Sequence, residues 1–80
     1  MLNFSDHILY YKPTCPYCKK VMNYLSMKEI NLEMRNTEDP AIREELIAIG
    51  GKAQVPCLCI LTEAIYESSD IIDYFRKSAG

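Results

Sequence analysis

Long apolar runs are missing from this 80-residue sequence. No stretch approaches the ~20 consecutive apolar residues that a membrane-spanning helix needs. The opening residues Met1-Leu2-Asn3-Phe4-Ser5-Asp6-His7 contain neither the basic region nor the apolar core of a secretory leader, so a cytoplasmic protein that binds no membrane is expected. A charge excess is missing too. The net charge is −2 with both signs mixed along the chain, which argues against a nucleic-acid or membrane-surface partner. There is no repeat, linker or low-complexity tract, so residues 1–80 are expected to form a single domain, near the low end of what one core can stabilise. An apolar fraction of 49% is ordinary for a globular chain and argues against disorder. Histidine occurs once, and His7 is expected to be a solvated edge residue with no role. Cysteine, by contrast, occurs four times. Cytosolic thiols are kept reduced, which argues against a disulfide framework and for catalytic or metal-binding cysteines.

Two of the four form Cys15-Pro16-Tyr17-Cys18. This spacing can lie on one turn at the start of a helix, close enough for a disulfide, and proline suits the first helical turn. Taken alone, a C-x-x-C leaves three readings open: a redox pair, a structural disulfide or half of a zinc site. Context favours redox, because a strand pattern precedes the motif, an amphipathic helix follows it and basic residues surround it. A thiol at a helix N-terminus faces unpaired N–H groups and the positive end of the helix dipole, both of which favour thiolate. Lys12, Lys19 and Lys20 push the same way, so Cys15 is the expected nucleophile. Cys18, a turn further in, is expected to be less exposed and to act as the resolving thiol.

Along the chain, His7 to Lys12 is an aromatic and β-branched run that reads as a buried strand ended by Pro13. Cys15 to Lys28 reads as a helix with Cys18, Val21, Met22 and Leu25 on one face and Lys19, Lys20, Asn23 and Ser26 on the other. Ile30 to Arg35 alternates apolar and polar, as a half-buried strand does. The crossover between the two strands makes them parallel. Asp39-Pro40 opens a second helix, buried through Ile42, Leu46 and Ile49 and stopped by Gly50-Gly51. Gln54 to Leu61 is a third strand, and Ala64 to Tyr66 a short fourth, antiparallel to it across a tight turn. Ser68-Ser69-Asp70 opens a last helix buried through Ile71, Ile72 and Phe75. The order β-α-β-α-β-β-α follows.

Lys12-Pro13-Thr14-Cys15-Pro16-Tyr17-Cys18, then Val55-Pro56, then Ser68-Ser69-Asp70 at a helix start, resemble the glutaredoxins over essentially the whole chain. The resemblance implies an α/β thioredoxin-like fold, a four-stranded mixed sheet flanked by three helices. It also implies an enzyme that reduces protein disulfides and glutathione mixed disulfides, with glutathione as reductant and no bound cofactor or metal. Its partners would be glutathione and glutathionylated or disulfide-bonded proteins, and a monomer is expected. Cys15 would be the nucleophile and Cys18 the resolving thiol. A cis Pro56 would hold the Val55 backbone opposite Cys15 for pairing with extended glutathione. Lys12 would hold the glycine carboxylate and Tyr17 would line the groove. Ser68 and Ser69 would present helix N-terminal N–H groups to the γ-glutamyl carboxylate, with Asp70 near its ammonium group.

Two departures point to a neighbouring family. Gln54 stands where many glutaredoxins carry threonine, and Tyr66-Glu67 where many carry two glycines. Gln54-Val55-Pro56-Cys57-Leu58 followed by Tyr66-Glu67-Ser68 is similar to the N-terminal domain of glutathione transferases, and above all to transferase-like bacterial glutaredoxins. In that lineage Glu67 and Ser68 would share the γ-glutamyl contact. Such proteins carry a second, helical domain that these 80 residues do not contain, so transferase activity is not expected.

Cys57 and Cys59, two apart on a strand, point to one face with Cα atoms about 6.6 Å apart, at the edge of disulfide geometry. They read as small buried core residues, with regulatory oxidation at Cys57 the sharper alternative. Two further functions stay open: a thioredoxin-like electron donor to a reductase, and an iron–sulfur carrier ligated through Cys15 and glutathione. Pro16 and Tyr17 argue against the carrier. A zinc site from Cys15, Cys18, Cys57 and Cys59 is disfavoured by the C-x-C spacing.

Overall fold

A computed structural model describes residues 2–79. Its elements follow in the expected order: β1 (Leu2–Tyr11), α1 (Pro16–Met27), β2 (Ile30–Asn36), α2 (Pro40–Gly50), β3 (Cys57–Ile60), β4 (Glu63–Ile65) and α3 (Ser68–Ala79). The sheet order is β2-β1-β3-β4. β1 and β2 are parallel, whereas β1–β3 and β3–β4 are antiparallel, so the sheet is mixed. No helix among the described residues is long and apolar enough to cross a membrane.

Strand alternation splits the core into two layers. Leu9 and Leu58 face one side with Val21 and Leu25 of α1 and Ile71, Ile72 and Phe75 of α3. Tyr10, Cys57 and Cys59 face the other, against Leu46 of α2. Cys57 and Cys59 are therefore buried core residues on one face, their sulfurs 3.8 Å apart, hydrogen-bonded and not joined by a disulfide. Their shared hydrogen bond, together with burial, pushes the Cys57 thiol up and keeps it protonated.

Local rules account for most boundaries. Pro16 occupies the first turn of α1 after Cys15 as N-cap. The Asp39 carboxylate accepts the Ala41 N–H at 2.9 Å and caps α2. α2 ends on Gly51, which adopts φ 87° and donates its N–H to the Ile47 carbonyl at 2.8 Å.

Four expectations need correction. β1 begins at Leu2 rather than at His7, so His7 is not a solvated edge residue but lies inside the strand, half-buried. β3 covers Cys57 to Ile60 rather than Gln54 to Leu61, because Pro56 has no N–H to give to the ladder and Leu61 turns into the left-handed region at φ 55°. β4 covers Glu63 to Ile65, so Tyr66 lies just past it. Ile49 is 36% exposed and outside the core layer that Ile42 and Leu46 of α2 join.

Candidate functional site

Cys15 stands where β1 gives way to α1. Its N–H donates to the Lys12 carbonyl at 3.2 Å, closing the turn around Pro13-Thr14. Its backbone is extended (φ −83°, ψ 118°), as an N-cap requires, and its sulfur accepts the Cys18 N–H at 3.3 Å. The sulfur thus takes the place of a capping oxygen and receives one of the helix's unpaired first-turn N–H groups. It is partly exposed, whereas Cys18 is fully buried against the core. Burial pushes the Cys18 thiol up to about 12. The two cysteines are therefore unlike, in the sense the sequence suggested: one reachable, one sealed.

Across from Cys15 runs the segment that leads into β3. The Val55-Pro56 peptide bond is cis. The Val55 carbonyl oxygen lies 4.0 Å from the Cys15 sulfur, within reach of the thiol as donor. Beside this pair opens a cleft of about 280 Å³ lined by Tyr17, Gln54, Val55, Pro56, Tyr66, Glu67 and Ser68. Six of these seven are candidate site residues of the sequence; the seventh, Tyr66, is there a strand residue and part of the transferase-like Tyr66-Glu67-Ser68 string, with no site role. Its signal lay in its place, directly before the α3 start that was expected to bind glutathione.

The far wall is the start of α3. The Glu67 carbonyl receives the first helical hydrogen bond, from Ile71 N–H at 2.9 Å. Ser68, Ser69 and Asp70 therefore occupy the first turn, where N–H groups have no intrahelical partner. Ser68 lines the cleft; Ser69 and Asp70 are exposed on the same turn but do not line it.

Lys12 is exposed and belongs to a different cleft, about 510 Å³, with Thr14, Thr37, Glu38, Arg43 and Ala53. Ala53 lines this cleft and Gln54 and Val55 the first, so one short segment serves both. Among the described residues no three His, Cys, Asp or Glu side chains are grouped to hold a metal ion.

Residues 9–80 match the family described as the glutathione S-transferase N-terminal domain. A glutaredoxin-like 8.6 kDa protein of Clostridium pasteurianum, encoded in a rubredoxin operon, is 36% identical over 53 residues, covering 65% of this chain and 71% of that protein. The fold is similar to that of glutathione transferase Omega 3C from Trametes versicolor (TM-score 0.81, 24% identity), over 92% of this chain but only 32% of that one. It is also similar to the glutaredoxin of Archaeoglobus fulgidus (TM-score 0.69, 19% identity), over 89% of this chain and 86% of that one. This chain thus spans about a third of the transferase and most of the glutaredoxin. It belongs to the glutathione S-transferase N-terminal domain family and is a glutaredoxin-like protein of thioredoxin fold.

Proposed function

We propose that this chain is a glutathione-dependent thiol–disulfide oxidoreductase, acting on glutathione mixed disulfides and protein disulfides in the cytoplasm. One observation carries the reading. The Cys15 sulfur caps α1 and lies 4.0 Å from the Val55 carbonyl oxygen, beside a cleft that Val55 lines together with Ser68 at the start of α3. An extended tripeptide disulfide laid along Val55 brings its sulfur to Cys15 and its γ-glutamyl carboxylate to the N–H groups at Ser68 and Ser69. Asp70 then lies near the ammonium group, Glu67 and Gln54 border the γ-glutamyl end, and Lys12 serves the glycine carboxylate from the neighbouring cleft. Tyr17 lines the groove between them.

The Cys15 thiolate attacks the glutathionyl sulfur of a mixed disulfide. The Cys15–glutathione disulfide forms, the old S–S bond breaks, and the substrate thiolate leaves and takes a proton. A second glutathione thiolate then attacks the bound glutathionyl sulfur, releasing oxidised glutathione and regenerating the Cys15 thiolate. Cys18, held as a buried thiol, is a poor competitor for that second step. It is needed when the substrate is a protein disulfide: Cys18 then attacks Cys15, frees the substrate's second thiol and leaves a Cys15–Cys18 disulfide for glutathione to reduce.

The test is turnover of a small glutathione mixed disulfide with glutathione and glutathione reductase. Cys15→Ser is expected to abolish it. Cys18→Ser is expected to keep it and to lose reduction of protein disulfides. Turnover by the Cys15 variant, or turnover supported by thioredoxin reductase and not by glutathione, would sink this reading.

A further inference from the structure

We infer that Tyr66 is a positioning residue of this cleft, bracing the segment that carries Val55 against the start of α3. The inference rests on the glutathione reading above and adds a residue to it. The two walls that a glutathione would touch come from separate stretches of chain. One follows α2 through Gly50-Gly51-Lys52 into Ala53-Gln54-Val55; the other begins at Glu67 and Ser68. Tyr66 joins them.

Three contacts make the joint. The Tyr66 hydroxyl donates to the Lys52 carbonyl at 2.9 Å. The Lys52 ammonium lies 4.5 Å from the centre of the Tyr66 ring, on the same short turn. The ring end presses on the backbone at Gly50 so closely that a Cβ there would lie 1.9 Å from the hydroxyl oxygen and 2.8 Å from Cζ. Glycine at position 50 is therefore matched to tyrosine at 66. Its φ is not in the left-handed region, unlike that of Gly51, so close approach and not backbone conformation requires it.

Only Ala53 and Gln54 separate Lys52 from Val55, and Tyr66 immediately precedes Glu67. Residues 54–56 lie outside the sheet, whose third strand starts at Cys57. The brace thus holds a stretch that ladder hydrogen bonds do not. Its ring also forms part of the cleft wall.

A double-mutant cycle separates positioning from simple packing. The readouts are KM and kcat for a small glutathione mixed disulfide, the melting temperature, and the rate of Cys15 alkylation. Tyr66→Phe keeps the ring and loses the bond to Lys52; KM is expected to rise about 3- to 10-fold, with kcat and the alkylation rate unchanged. Gly50→Ala is expected to raise KM in the native background. Beside Tyr66→Phe it should raise KM less, since the Cζ contact remains. Beside Tyr66→Ala it should raise it no further. A lower melting temperature with KM unmoved overturns the brace, as does a Gly50→Ala penalty equal in all three backgrounds. An inactive wild type refutes the glutathione reading and the brace with it, whereas an active wild type with unmoved variants refutes the brace alone.

Discussion

His7 sits edge-on to Phe4 with ring centres 4.9 Å apart, and its Nε2 bonds the Tyr74 hydroxyl at 2.7 Å. Its Nδ1 is buried without a partner. Burial lowers its pKa below the ordinary value, against the opposing pull of Asp6. The folded state therefore prefers neutral imidazole. The stability this contributes is complete above the unfolded pKa of about 6.5 and is lost as pH falls through the lower folded value. Urea midpoints should accordingly fall between pH 7.5 and pH 5.5, and His7→Gln should flatten that fall; an unchanged slope in the variant would exclude His7 as its cause. Nothing around His7 in the sequence announced this role. Alternation alone puts His7 on the face of Leu9, but Phe4 joins it only because the strand extends back to Leu2, and the Tyr74 partner is 67 positions away. The same holds for Tyr10, whose hydroxyl donates to Glu45 while Arg35 bonds the same carboxylate. The Tyr10 hydroxyl and the Arg35 guanidinium hold the Glu45 carboxyl below its usual range. Three elements meet in that group, and no local pattern couples them.

The helices were legible because their signals are local. Asp39-Pro40 and Gly50-Gly51 bracket α2, and Pro16 opens α1, each by chemistry within a few residues. The strands were legible in order but not in length, because pairing decides where a ladder ends and pairing is remote. The β3–β4 connection illustrates the difference. Leu61 is 74% exposed and adopts φ 55°, a conformation that L side chains other than asparagine and aspartate rarely take. The left-handed region costs such a residue about 1–2 kcal/mol, of which glycine's extra freedom in the unfolded chain returns part. Leu61→Gly is therefore expected to stabilise the protein by about 0.5–1 kcal/mol in denaturant titration. A destabilised variant would mean that the Leu61 side chain makes packing contacts that outweigh the strain.

At the scale of the whole molecule, the topology gathers pieces of sequence that are far apart. Cys15, Val55 and Ser68 come from three regions and meet at one end of the sheet, because β1 runs toward that end, β3 starts there and α3 begins there. That meeting was legible through motif order; the pairing of Gly50 with Tyr66 was not, since a missing side chain carries no hydropathy signal. The same topology sorts the four thiols by depth. Cys15 is partly exposed, while Cys18, Cys57 and Cys59 are 0%, 0% and 3% exposed. The buried three lie in two elements, Cys18 in α1 and Cys57 and Cys59 in β3 against α2. The protein thus carries an internal clock for its own opening. Mass spectrometry after timed iodoacetamide treatment should find one adduct on the native chain and four in denaturant. Between those limits the order of labelling tells fraying from collapse: a second adduct at Cys18 alone records α1 lifting away, and simultaneous gain of three records loss of the whole sheet.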